Sequence, residues 1–339
     1  MPKQLLLYNQ PAVKKFLLAA ATAFQIFSFN AFAQTSSSVP DAKTNAFFQS
    51  IRSGNTDELI KQLANGANAN DTLNGYSALM AAAVSGSVEQ MKILIEKGAV
   101  VNYANKDSIT ALWLAVPDWD KTKLLIDHGA NPQLRSKERY TVLVKVALLP
   151  GTEKLLQLLI DKGADPKKCA SDNVLLYNAA SSGDTAVLGL LIRSGLKVND
   201  TVSFGDYPIT AALNFRTFPT LKMLVDNGAN VNIAPLTPGA LPSLARCTPL
   251  MFAALDNAKE SFYYLLEHGA DPNMKNKKGF TALMMLQQSE DDDPDMAMAL
   301  IKHGASPSAK APDGTDALYY AERKGNTKSV ELLKKYLTK

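Results

Sequence analysis

Three histidines, two cysteines and one dense acidic run are the residues of this 339-residue chain whose types could do chemistry. His128, His268 and His303 could serve as metal ligands or general bases, and each stands directly before a Gly. Ligands of one ion must all lie about 2 Å from it. Residues at one recurring position of packed helices lie about 8–10 Å apart, so they do not converge on one ion. A cation just before Gly suits instead the C-terminal end of a helix dipole. The run Glu290-Asp291-Asp292-Asp293-Pro294-Asp295 could bind calcium. A calcium loop needs oxygen ligands at set alternating positions and a Gly at the bend, and this run does not follow that pattern. It reads as a solvated turn whose acids cap the next helix. No glycine-rich phosphate loop and no Ser-His-Asp or Cys-His arrangement is present. The sequence thus assigns no catalytic residue, no cofactor and no metal, and the chain is not expected to be an enzyme.

Those three histidines sit on a beat that runs through the chain. Gly-Ala recurs at Gly66-Ala67, Gly98-Ala99, Gly129-Ala130, Gly163-Ala164, Gly228-Ala229, Gly269-Ala270 and Gly304-Ala305, with Gly195-Leu196 in the remaining place. Successive glycines are 32, 31, 34, 32, 33, 41 and 35 residues apart. A period near 33 marks a stack of small repeats, each touching only its neighbours. Residues 75–103 show one unit. Ser77 can cap a helix over 78–84, whose small residues Ala81 to Ala83 admit a close neighbour. Ser85-Gly86-Ser87 turns the chain into a second helix over 88–97, with Met91, Ile93, Leu94 and Ile95 facing inward. Gly98 then closes that helix in a left-handed conformation.

This unit resembles the ankyrin repeat. The match is fullest in Thr248-Pro249-Leu250-Met251-Phe252-Ala253-Ala254 and in Gly269-Ala270-Asp271-Pro272-Asn273. Thr110-Ala111-Leu112-Trp113 and Thr281-Ala282-Leu283-Met284 repeat the helix start. The family's His after Thr-Pro-Leu is replaced by Met80, Trp113, Val144, Tyr177, Met251, Met284 and Tyr319. The resemblance implies an all-α repeat solenoid of about nine helix-turn-helix repeats with short β-hairpin fingers. The repeats fall at 42–71, 72–104, 105–135, 136–168, 169–201, 202–234, 244–275, 276–309 and 310–338. The first and last depart from the pattern as end caps do. Cys169 and Cys247 open repeats two apart, about 20 Å by helix spacing, so no disulfide is expected between them.

The N-terminus reads as a secretory signal. Lys14 and Lys15 precede an apolar run from Phe16 to Phe32, and Ala31-Phe32-Ala33 offers a cleavage site after Ala33. Residues 1–33 are therefore expected to be a signal peptide, 34–41 a flexible linker and 42–338 the repeat array. The mature protein is expected in a bacterial periplasm, with secretion as the alternative. Removing Lys3, Lys14 and Lys15 lowers the formal net charge from +4 to +1, so charge does not call for nucleic acid. No later segment is long and apolar enough to span a bilayer.

The resemblance implies that another protein binds a concave face built from the fingers and the ends of the first helices. On that face the alignment places Tyr76, Ile109, Tyr140 and Phe280 before the helix starts. Trp119, Leu148, Leu149, Phe215 and Phe218 are placed where the first helices close. Large aromatics and apolar residues at matched positions are what interface hot spots favour. Lys106, Arg135, Lys137, Arg139, Lys167, Lys168, Lys275, Lys277 and Lys278 make the finger tips mostly basic. The 41-residue spacing holds an insertion near 233–246, whose Leu236 and Leu241 are further candidate contacts. The expected function is a monomeric, exported scaffold or stress-related accessory protein that binds a protein partner. The alternatives are a periplasmic immunity protein or a secreted virulence factor.

Overall fold

The structure is a computed structural model that describes residues 42–169, 174–202, 205–235 and 245–338. The expected signal peptide and linker, Leu236 and Leu241 lie outside the described residues. The described residues fall into two compact units, 42–169 and 174–338.

The N-terminal unit holds four helix pairs: α1 (Ala42–Arg52) with α2 (Thr56–Ala64), α3 (Ala78–Ser85) with α4 (Val88–Glu96), α5 (Ala111–Ala115) with α6 (Trp119–Asp127), and α7 (Val142–Leu148) with α8 (Glu153–Asp161). The C-terminal unit holds five: α9 (Val174–Ser182) with α10 (Thr185–Arg193), α11 (Pro208–Asn214) with α12 (Phe218–Asp226), α13 (Pro249–Leu255) with α14 (Lys259–Glu267), α15 (Ala282–Leu286) with α16 (Pro294–Lys302), and α17 (Ala317–Lys324) with α18 (Thr327–Leu337). First helices stack on first helices and second on second, as α3 does on α1 and α5, and α6 on α4. None of the described helices is long and apolar enough to cross a membrane.

Local chemistry sets each pair. Ser77, Thr110, Thr248 and Thr281 cap first helices by accepting the N–H of the third residue on. Asn55, Ser87, Asp118, Asp184 and Asp293 do the same for second helices. Each second helix through α16 ends at the recurring Gly, with φ between 83° and 96°. The next residue then donates back across the last turn, as Ala99 does to Leu94 O and Ala270 to Leu265 O. That alanine is buried at 99, 130, 164, 229, 270 and 305, which explains why the second letter of the beat is small. Leu196, the exception, makes the longer bond of 3.4 Å.

Between pairs the chain forms fingers. The first is a β-hairpin, β1 (Thr72–Leu73) with β2 (Tyr76–Ser77), turned by Asn74 and Gly75 at positive φ. The second closes by a single bridge, Ala104 to Thr110. An asparagine ladder joins successive fingers. Asn102 donates to Gly129 O at 2.9 Å and accepts from Asn131 N at 2.8 Å. Asn70, Asn199, Asn232 and Asn273 repeat the same pair of bonds to the next repeat. The rungs supply repeat-to-repeat bonding in a chain without the family's His. At the rung after Asn102 the Gln133 side chain makes only one of the two bonds, donating to Gly163 O at 3.2 Å.

Shortening Gln133→Asn is expected to complete that rung and stabilise the N-terminal unit by about 1 kcal/mol, while Asn102→Ala costs about the same. Urea unfolding measures both. Identical midpoints for wild type and both variants would show that the ladder carries no stability.

Candidate partner-binding surface

The residues with catalytic potential are spent on the scaffold. His128, His268 and His303 follow the last residues of α6, α14 and α16, and each ring donates Nδ1–H to the carbonyl four residues back, at 2.8–2.9 Å. The acidic run is more than a solvated turn. Asp293 caps α16 and pairs with Lys259 at 2.7 Å, while Asp291 accepts from Asn257. Asp292 reaches the other way, accepting from Lys328 N, Ser329 N and Ser329 Oγ at the start of α18. Glu290 pairs with Lys324 at 3.3 Å. Four successive acids therefore clip one repeat to both neighbours. Cys169 and Cys247 are buried thiols outside any disulfide. Burial pushes the Cys247 thiol up to about 11, against the opposing hydrogen bond from Asn276, so it is a poor nucleophile. No group of three metal-ligating side chains occurs among the described residues.

The candidate contacts divide between the units. In the N-terminal unit Tyr76, Ile109 and Tyr140 are half-buried on three successive fingers. Tyr76 lies near Asp107 of the next finger, and burial first and that carboxylate second raise its hydroxyl pKa. In the C-terminal unit the same finger position turns inward on three fingers, while Thr315 on the last is half-buried. Asp206, Cys247 and Phe280 are all buried. Phe280 is therefore corrected from a partner contact to a core residue, because it packs edge-on against Tyr320 at 5.3 Å.

Two further residues are re-placed. Trp119 and Phe218 are the first residues of second helices α6 and α12, not the ends of first helices. Trp119 is 43% exposed, whereas Phe218 packs edge-on against Tyr264 at 5.7 Å. Leu148 ends α7 and Leu149 follows it, both half-buried, with the Leu149 carbonyl accepting from Thr152 Oγ1. Phe215 follows α11 and is half-buried.

Two buried polar features escaped the sequence reading. Lys145, inside the apolar run Val142–Leu148, donates Nζ–H to Trp113 O at 2.9 Å, and burial pushes its ammonium down to about 8. A lone Lys among six apolar residues was the available signal. Asp206 is 3% exposed and accepts from Thr210 Oγ1 and, at 2.8 Å, from Tyr207 N. Burial raises its carboxyl above the usual range despite those bonds and one from Tyr177.

The sequence matches a family model described as ankyrin repeats (3 copies) over residues 11–105, 47–136, 176–276 and 250–338. It is 27% identical over 170 residues to an ankyrin repeat protein of fowlpox virus, covering 49% of this chain and 39% of that one. It is 36% identical over 107 residues to an ankyrin repeat-containing protein of Treponema pallidum, covering 30% of this chain and 36% of that one. A protein of Danio rerio named as a palmitoyltransferase is 27% identical over 207 residues, 60% of this chain and 31% of its own length. The matched stretches span well under half the length of these relatives.

Lys145→Met is expected to raise stability at pH 7 by about 3 kcal/mol, because the folded state holds this ammonium less well than the unfolded chain does. The folded pKa is depressed, so the penalty is absent above pH 10.5, grows as pH falls to about 8, and is constant below. Urea unfolding of both proteins at pH 7 and pH 11 measures this, with the difference expected to vanish at pH 11.

Proposed function

The chain belongs to the ankyrin-repeat family, and from that premise we propose that it is an exported protein-binding module, acting as a scaffold or accessory protein in a periplasm. Ankyrin repeats generally mediate protein–protein interaction. The observation that carries the reading is the row of Tyr76, Ile109 and Tyr140, half-exposed on three successive fingers. Aromatic and branched apolar side chains in that state offer contact area at low entropic cost. Trp119 at the opposite end of its helix pair is a second anchor. Leu148, Leu149 and Phe215 extend the candidate contacts. Export is supported by the basic start, apolar run and Ala31-Phe32-Ala33 of the N-terminus.

Two measurements test the reading. Cell fractionation with N-terminal sequencing is expected to find a periplasmic protein beginning at Gln34. Affinity capture from periplasmic extract is expected to weaken about tenfold in Ile109→Ala/Tyr140→Ala and in Trp119→Ala/Phe215→Ala, with cooperative unfolding kept in both. Unchanged capture in both pairs would refute the contact row, and an uncleaved cytoplasmic protein would refute export.

A further inference from the structure

The finger tips of the N-terminal unit concentrate positive charge, most of it outside any ion pair among the described residues. Lys106 stands on the second finger, Arg135, Lys137 and Arg139 on the third, and Lys167 and Lys168 on the short 3-10 turn Pro166–Lys168 that follows α8. All six are exposed. Among the described residues, Lys106, Lys137, Arg139 and Lys167 make no ion pair, and Lys168 pairs only with Asp165, at 3.4 Å. The fingers carrying them are pre-ordered. Lys137 N donates to Asp107 O of the preceding finger at 2.9 Å, and the Arg135 guanidinium donates to Lys168 O of the following turn. Thr141 N donates to Cys169 O at 3.0 Å.

Arg139 adds a second observation. It holds φ at 70°, at the tip position that Gly75, Gly205, Gly279 and Gly314 hold at 78–84° and Ser108 and Arg246 hold at 57° and 61°. An L side chain pays a steric penalty there that glycine avoids. Arg139 bears that penalty while its side chain stays exposed beside Lys137.

Spacing identifies what fits. Stacked repeats set successive tips about 8–10 Å apart. A polyproline II segment has three residues per turn and rises about 3.1 Å per residue, so every third side chain falls on one face about 9 Å apart. Ile109 and Tyr140 lie at the bases of the second and third fingers, and Tyr76 at the base of the finger before them, and aromatic-lined surfaces are what such helices dock on. Asp107 and Glu138 stand between the cations, which opposes the unbroken charge of a phosphate backbone but not a carboxylate on every third residue.

We propose that these three tips form a docking edge for an acidic, extended polypeptide segment whose carboxylates recur every third residue. This rests on the reading of the chain as a protein-binding module and names the partner's chemistry.

The test uses the full chain and labelled synthetic peptides. (Glu-Pro-Pro)4 is compared by fluorescence anisotropy with a peptide of the same composition whose four glutamates are clustered at one end. The periodic peptide is expected to bind at least about tenfold more tightly, and to weaken as salt rises. Lys106→Glu/Lys137→Glu is expected to abolish the difference. Arg139→Gly is expected to weaken the periodic peptide about fivefold without lowering the urea midpoint, which separates a contact role from a structural one. Equal binding of the two peptides overturns the proposal. So does tighter binding of an oligothymidylate of equal charge, or of phosphatidylglycerol vesicles. If neither peptide binds and Ile109→Ala/Tyr140→Ala still weakens partner capture, the docking edge is wrong and the protein-binding reading stands.

Discussion

The array depends on one residue type in one conformation. A left-handed Gly ends each second helix through α16, and two consequences follow from the same peptide. Its successor can donate back to the last turn, which closes the helix and buries a small side chain. Its carbonyl is left facing the preceding repeat, where Asn70, Asn102, Asn199, Asn232 and Asn273 donate to it. Helix termination and repeat-to-repeat bonding are thus a single device. The residue two before each of these asparagines completes it where it is Asn or Asp. Asn68, Asn230 and Asp271 accept the N–H two residues on and orient the rung.

Where that device lapses, the chain changes character. Gln133 is one methylene too long to hold both bonds, and Lys167 occupies the following rung position. Asp165 turns inward on its own segment instead, capping the short 3-10 turn through Lys167 N. The division between the two compact units falls only a few residues later. The C-terminal unit resumes with Asn199 and adds charge pairs between repeats, Arg216 with Asp256 and Lys259 with Asp293, both at 2.7 Å.

The sequence was most legible where geometry is local. Gly at positive φ, Ser and Thr caps and the small residues Ala81 to Ala83 each act within a few bonds, so their spacing alone gave the nine helix pairs found among the described residues. The histidines were legible for the same reason, since their acceptor lies four residues back. What escaped depends on partners a full repeat away. Phe280 is buried by Tyr320, and Asp292 reaches Ser329. Trp119 was misplaced because Pro117 and Asp118 cut α5 to five residues and start α6 early. A register of about 33 residues cannot show a helix that ends one turn short.

The same economy explains where function can reside. Helix faces are consumed by stacking on two neighbours, and the finger carbonyls and amides are consumed by the ladder. In the C-terminal unit the position before three of the helix starts is also drawn into the core, as Asp206, Cys247 and Phe280 show. What remains adjustable without loosening the stack is the finger tip and its first half-buried side chain. In the N-terminal unit those places carry Lys106, Ile109, Lys137, Arg139 and Tyr140. Four of the five are charged or aromatic, and one of them sits in a backbone conformation that favours glycine. Gly stands there at four tips, while Ser108, Arg139 and Arg246 hold the same left-handed conformation at a steric cost that glycine avoids, so the tip tolerates side-chain variation that the stacked helices do not.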